Sequence, residues 1–478
     1  MTEVRCALEQ GAAAQPAEQM PSIAVLPFAN LSADKDNEYF SDGLAEEVLN
    51  ALTGLPGLRV IARASAFSFR GRENAIAEIG QKLQVTNVLH GSVRRAGNRL
   101  RVSAQLIKVC TESQVWSERY DREMADVFDI QDEIARAIVA QLKVKLGAKS
   151  GRPLVKRYTE NLEAHSLYLK GIFHYYRFTP EEMEKGRMYL EKVVALEPGH
   201  APALFNLADT YVAAAHIGGS PAIDCWAKAQ ALFARARDAD PEFADAYAGI
   251  GLVKAVSNHQ WEEGLRELDA ALRMNPLSAR AYFWRGVVLH RMGREDEALA
   301  HSCRAVELDP LFLLYRQFAA IICLFLGQPD SAAEHARQIL DIDPNYYAGL
   351  LALGEAYSQM GRHEEGISLL ERGSREGPGF HFGMPYLAFA YVRAGRRSDA
   401  ERFRAELEGT RRTQYLSPGN LAFVAAALDD VDSAFRYAGE ALAAHDPNFG
   451  MFIRTPYAQA LKSDPRYSGI LRRMNLAQ

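Results

Sequence analysis

The sequence predicts an α+β N-terminal domain, a mixed sheet with helices, followed by an all-α superhelical array of repeats. Prolines return at a nearly fixed interval through the C-terminal two-thirds: Pro198, Pro241, Pro276, Pro310, Pro344 and Pro378, the last four gaps being 35, 34, 34 and 34 residues. Ten positions after each proline stands a small residue: Ala208, Gly251, Gly286, Ala320, Gly354 and Ala388. Upstream of the array, Leu100, Val102, Ala104 and Leu106 alternate with Arg99, Arg101, Ser103 and Gln105, the period of a strand with one solvated face.

Residues 1–20, rich in Ala, Gln, Glu and Pro, read as a flexible lead-in, and 21–147 as the front domain. Ser22-Ile-Ala-Val-Leu-Pro-Phe28 is a short apolar strand. Glu38 to Leu52 is a helix, with Ser41 or Asp42 as its cap and its end near Gly54. Leu58 to Ala62 is a second strand, and Ala75 to Leu83 a second helix. Three more strands follow, with a hairpin turn at Ala96-Gly97-Asn98. Ile130, Ile134, Ile138 and Leu142 then recur every four residues along a helix expected to cover the sheet.

After a linker over 148–164, the array occupies 165–447 in about eight repeats. Gly293, Gly327, Gly361 and Gly395 stand seven positions after the small residue, where a turn between two helices needs left-handed backbone. Ala298 and Ala332 open the second helix, and Asp-Pro ends it, because proline lacks an N–H and biases its predecessor away from helical angles. The copy over 201–241 is expanded around Gly218-Gly219-Ser220-Pro221, and the copy over 417–447 is degenerate. Residues 448–478 read as a closing helix over the open end of the stack. A helical array of fixed period presents an extended concave surface to another macromolecule.

The fullest copy, from Ala281-Tyr-Phe-Trp-Arg-Gly-Val-Val-Leu-His-Arg-Met-Gly-Arg-Glu-Asp-Glu-Ala-Leu to Glu307-Leu-Asp-Pro310, resembles the tetratricopeptide repeat. In the front domain, Ser22-Ile-Ala-Val-Leu-Pro-Phe-Ala-Asn30, Tyr39-Phe-Ser-Asp-Gly-Leu44, Val60-Ile-Ala-Arg63, Val88-Leu-His-Gly-Ser-Val-Arg-Arg95 and Trp116-Ser-Glu-Arg-Tyr-Asp-Arg122 resemble the TolB-N-like (FlgO-like) domain. Bacterial proteins of that family commonly place tetratricopeptide repeats behind it. Larger relatives carry a class III adenylate or guanylate cyclase domain upstream, or a winged-helix DNA-binding domain as in CadC- and HilA-type regulators. About 20 residues precede the first strand here, too few for either effector. The resemblance therefore implies the sensory or scaffolding half of a regulator, with no catalytic residue to carry over. Its alternative is the regulatory half of a cyclase or transcription regulator that acts with a separately encoded effector.

Composition narrows the function. A net charge of −5 argues against a general nucleic-acid surface. Five scattered cysteines without a CxxC pair argue against a disulfide framework or structural zinc, and fit a reducing cytoplasm. The N-terminus lacks the apolar core of a signal peptide, and the longest apolar run, Phe318 to Leu326, is too short to span a membrane. Gly249-Ile-Gly251 has no preceding strand, so it reads as repeat packing and not as a phosphate loop. His363-Glu364-Glu365 lacks the second histidine of a zinc protease, and His301-Ser302-Cys303 diverge around a helix. The arginines at 94, 95, 99 and 101 read as a charged sheet face, and those between Arg393 and Arg412 as a solvated helix face interspersed with acids. No catalytic, cofactor or metal site emerges.

The partner surface is expected in the groove. Inner positions of the first helices map to Tyr168, Tyr175, Phe205, Asp209, Phe283, His290, Gln317, Glu355, Ser358, Phe389 and Val392. Aromatic faces beside isolated polar groups suit a docked protein or peptide, although several of these rings can equally fill the interior of the superhelix.

Overall fold

The computed structural model describes residues 20–33, 37–53, 55, 57–70, 75–142, 156–177, 179–217, 221–377 and 383–476. The lead-in up to residue 19, the helix end at Gly54, Gly147, the linker over 148–155, the expansion over 218–220 and Pro378 lie outside them.

Short apolar runs and one long meander make the front sheet. Its strands are β1 (Ser22–Val25), β2 (Ala29–Asn30), β3 (Arg59–Val60), β4 (Asn87–Ala96), β5 (Arg99–Lys108) and β6 (Ser113–Glu123). Their order is β3-β1-β4-β5-β6, with β2 also on β4. β1 runs parallel to β3 and β4, whereas β4, β5 and β6 are antiparallel, so the sheet is mixed. Leu100, Val102, Ala104 and Leu106 are fully buried, as their alternation predicts, and Gly97 turns the hairpin at φ +59°. Helix α1 (Glu38–Leu52) packs against β1 and against α4 (Val127–Gln141), which lies on β5 and β6 and buries Ile130, Ile134 and Ile138. Two shorter helices, α2 (Arg63–Phe67) and α3 (Ile76–Leu83), fill the connection from β3 to β4.

The expected cap of α1 is corrected. Ser41 and Asp42 lie inside the helix, where Asp42 pairs with Arg70, and the N-cap is Asn37. The helix begins about one turn earlier, at Glu38, so neither side chain stands at its free end.

Among the described residues eight helix pairs follow: α5 (Leu162–Tyr175) with α6 (Pro180–Leu196), α7 (Ala201–Ile217) with α8 (Ala222–Ala239), α9 (Ala244–Val256) with α10 (Trp261–Met274), and α11 (Ala279–Arg291) with α12 (Glu295–Leu308). Then come α13 (Leu313–Phe325) with α14 (Pro329–Ile342), α15 (Tyr347–Gln359) with α16 (His363–Glu376), α17 (Met384–Arg393) with α18 (Arg397–Thr410), and α19 (Pro418–Ala427) with α20 (Val431–Ala443). The turn glycines at 293, 327, 361 and 395 all have positive φ. So do His259 (φ +54°) and Asp429 (φ +59°), which extend the same period one repeat in each direction without glycine. A Cβ on Gly251 would lie 2.7 Å from the Gly264 carbonyl oxygen, and one on Gly354 2.8 Å from that of Gly366. Gly251 thus sits inside α9 as a close-packing residue, with no phosphate-binding turn around it.

The C-terminal tail departs from a single closing helix. It forms α21 (Pro447–Phe452), a 3-10 turn over Pro456–Ala458, α22 (Gln459–Lys462) and α23 (Arg466–Arg473). It packs on α19 and α20 and also reaches back to α7 and α11. Trp226 Nε1 donates to the His445 carbonyl at 3.0 Å, and Trp261 Nε1 to that of Met474 at 2.7 Å. The array curves far enough to bring its last pair over its early ones, and the apolar tail (Phe449, Phe452, Ile453 and Leu461, all buried) fills the space between.

Candidate functional site

The inner wall of the array is built mainly from first helices; of the eleven positions expected to line it, Val392 packs against the core and the other ten separate into three settings. Tyr168 and Phe205 are packing residues: Tyr168 lies against His200, with ring centres 4.8 Å apart, and Phe205 against Phe233 at 5.4 Å and Phe243 at 5.7 Å.

Tyr175, Asp209, Phe283 and Gln317 line a cavity of about 760 Å³ between the array and the front domain. Tyr175 donates its hydroxyl to Asp209 at 2.6 Å, and Arg280 reaches the same carboxylate oxygen at 2.5 Å. The Arg280 guanidinium lies over Phe205 and Trp284, at 5.0 and 5.7 Å from their ring centres. Burial raises the Tyr175 pKa, and Asp209 reinforces the shift, so the phenol remains a donor. Burial works against the charge on Arg280, but Asp209 and the surrounding tyrosines outweigh it and hold the guanidinium protonated. Phe283 stands among Tyr315 and Phe318, and Gln317 accepts from the Tyr346 hydroxyl at 3.4 Å. The wall therefore combines ring faces with a few fixed polar groups.

His290, Glu355, Ser358 and Phe389 meet the chain's own tail. His290 Nε2 donates to the Met451 carbonyl at 2.8 Å, and its ring stacks on Phe325 with centres 5.1 Å apart. Glu355 is fully buried, 2.8 Å from Arg393, and accepts from the Tyr457 hydroxyl and from Gln359 at 3.0 Å. Arg393 also donates to Ser358 at 3.0 Å, and Phe389 meets Tyr457 edge-on at 4.8 Å. Arg393 was expected on a solvated helix face and instead turns inward to this buried carboxylate. Its neighbours in the arginine run pair instead with acids of second helices: Arg396 and Arg402 with Asp399, the half-buried Arg404 with Glu408, and Arg411 with Glu440.

The front domain supplies the other cavity wall, which the repeat register does not reveal. Glu38, Asp42 and Glu46 share one face of α1 at four-residue spacing, and Arg63 and Arg70 of the α2 region answer them. Arg63 lies 2.6 Å from Glu46 and sits over the rings of Phe67 and Tyr176, at 4.3 and 4.0 Å. Ser65 docks on the array, its N–H donating to Asp309 at 3.0 Å and its hydroxyl accepting from the Leu311 N–H at 2.7 Å. Burial pushes the Asp309 carboxyl up to about 6 against the pull of the Ser65 bonds. An acidic stripe on α1 followed by two arginines seven apart was the available sequence signal; Asp309 could be read only as part of a helix-ending Asp-Pro.

The other motifs stay structural. His301 contacts Arg285, Ser302 donates to the Ala298 carbonyl within its own helix at 2.6 Å, and Glu364 and Glu365 are exposed at the start of α16. Arg99 and Arg101 face Asp121 across the sheet, Arg101 at 2.6 Å. No helix among the described residues is long and apolar enough to cross a membrane.

Residues 254–311 and 326–381 match two tetratricopeptide-repeat family models, and residues 18–137 match that of the HilA/YgeH-like transcriptional regulator, second domain. The sequence is 40% identical over 198 residues to "Putative adenylate cyclase 3" of Rhizobium meliloti (strain 1021), a stretch covering 41% of this chain and 34% of that protein. The chain thus spans about a third of the length of the relative it matches. Among solved structures, YrrB, titled a TPR protein with an unusual peptide-binding site, is similar at 21% identity and a TM-score of 0.28, over 40% of this chain and 92% of its own. A tetratricopeptide repeat protein from Parabacteroides merdae is similar at 13% identity and a TM-score of 0.39, over 57% of this chain and 98% of its own. The chain joins a domain similar to the second domain of HilA/YgeH-like regulators to an array of tetratricopeptide repeats.

Proposed function

We propose that this chain is a non-catalytic bacterial interaction or scaffold protein with a signalling or regulatory role, holding a protein or peptide partner on the concave side of its repeats. The observation that carries the reading is the cavity of about 760 Å³ between first helices of the array and the front domain, where aromatic faces lie beside a few fixed polar groups. Such a wall suits a peptide whose apolar side chains meet Phe283 and whose main-chain groups meet Gln317 and the Asp209–Arg280 pair. The tail occupies the stretch around Glu355, so the partner's room lies between tail and front domain. On this reading the front domain is a TolB-N-like module over 21–147 that relays a signal, and the protein works in the cytoplasm without cofactor, metal or nucleic acid.

The test is Phe283→Ala combined with Gln317→Ala, two positions whose contacts described above lie within the array. Partners are captured from the native bacterium with wild-type protein and identified by mass spectrometry. A labelled peptide from the captured partner is then titrated against both proteins. Lost binding by a folded double variant is expected, and unchanged binding would refute the groove assignment.

A second reading is favoured by the identity to a protein named as an adenylate cyclase and by the HilA/YgeH-like match. Here the chain is the regulatory half of an adenylate/guanylate cyclase or transcription regulator and acts on a separately encoded effector. Adding it in trans to the effector encoded beside it should change that effector's activity. Cyclic product formed from ATP or GTP by the purified chain alone would overturn the non-enzymatic reading.

A further inference from the structure

The last strand of the front sheet has an open edge. Among the described residues β6 pairs with β5 on one side only and ends the strand order, which leaves its outward main-chain N–H and C=O groups without a strand partner there. It is the longest strand of the sheet at 11 residues, and eight of them are exposed. A register shift against β5 falls at Val115, so the regular part of the edge runs from Trp116 to Glu123.

The charges on that regular part are arranged symmetrically. The sequence reads Glu118-Arg119-Tyr120-Asp121-Arg122, with opposite signs at equal distances on either side of Tyr120. An antiparallel second copy centred on Tyr120 sets Arg119 opposite Asp121 on one face and Glu118 opposite Arg122 on the other, each contact made twice by symmetry. Sliding the register by two places Arg119 opposite Arg119 in one direction and Asp121 opposite Asp121 in the other, where only the two Arg119–Glu123 contacts remain attractive. This edge carries both signs and offers its copy four opposite-charge contacts in the register centred on Tyr120, more than in either neighbouring register.

We propose that β6 is a homodimerisation edge, pairing antiparallel with β6 of a second copy about a two-fold axis at Tyr120 and joining the two front sheets into one. The symmetry is isologous, so each copy gives and receives the same contacts. It keeps α4 of both copies on the same face of the joined sheet, because residues of equal parity meet. The axis lies at the sheet edge away from β3.

Two charge variants of the full chain test this. The acidic one carries Arg119→Asp and Arg122→Glu; the basic one carries Glu118→Arg and Asp121→Arg. Sedimentation equilibrium on wild type should show a monomer–dimer equilibrium that weakens with salt. Each variant alone should dissociate at least about tenfold more readily, and an equimolar mixture should recover the dimer as a heterodimer. Circular dichroism establishes that each is folded. Asp121 also holds Arg101, so if the basic variant unfolds, the acidic one decides alone. A wild type monomeric at all concentrations, an acidic variant as dimeric as wild type, or folded variants that fail to pair with each other would each overturn the proposal.

Discussion

Replacing Arg393 by Met removes the cation that faces the buried carboxylate of Glu355. Glu355 is 0% exposed and Arg393 29%, and the two lie 2.8 Å apart. Stranding one partner of a buried ion pair costs about 3–5 kcal/mol, most of it the desolvated charge left behind. Two donors stay with Glu355, the Tyr457 hydroxyl and Gln359, and the partial exposure of Arg393 admits solvent. The expected loss therefore falls below that range, at about 2–3 kcal/mol. Adding Glu355→Gln removes the stranded charge and should restore at least about 1 kcal/mol, a coupling that a double-mutant cycle isolates. Urea melts followed by circular dichroism read the loss as a lower midpoint at constant slope. Hydrogen exchange should show the amides of 447–462 opening first, because Tyr457 ties the tail to this pair. A single variant within about 0.5 kcal/mol of wild type, or a double variant no more stable than the single, would refute the account of the tail as held by this buried pair.

Two further outcomes are expected. Burial, reinforced by Glu46, pushes the Glu47 carboxyl from 4.5 up to about 8. Its folded-state pKa is raised, so the protonated form is favoured in the fold: stability present at low pH should fall as pH rises from 4.5 to about 8, and Glu47→Gln should flatten that decline in Tm across the window. Parallel wild-type and variant curves would contradict it. Gly251→Ala places a Cβ 2.7 Å from the Gly264 carbonyl and should cost about 1–3 kcal/mol. Gly327→Ala, at φ +69° with nothing within 4 Å, should cost only about 1 kcal/mol of backbone strain. Thermal melts that reverse this order would count against close helix packing as the reason for the small residue.

The repeats were legible because each carries its own punctuation. Asp-Pro, the small residue and the turn glycine act within one helix pair, and their recurrence multiplies a weak local signal. His259 and Asp429 show the limit of reading glycine alone, since both take the left-handed turn position with a side chain. In the front domain, the bounds of α1 and the buried alternation of β5 were legible for the same local reason. α2 was missed, because five residues are too few to display a helical period.

The groove was less legible. Position on a first helix gave the wall residues, but not what stands in front of them. Tyr175, Asp209, Phe283 and Gln317 face a cavity, while His290, Glu355, Ser358 and Phe389 face the tail, and nothing in the repeat register separates the two sets.

By itself the sequence determined the mixed front sheet, the repeat period, the turn positions and the close-packed glycines, all set by interactions a few residues to one repeat apart. Tertiary structure alone decided that Ser65 would dock on Asp309, 244 residues away, and that Tyr457 would reach Glu355, 102 residues away. Contacts at such separations depend on how far eight helix pairs curve, and that curvature accumulates from small angles between neighbouring pairs that no single repeat encodes.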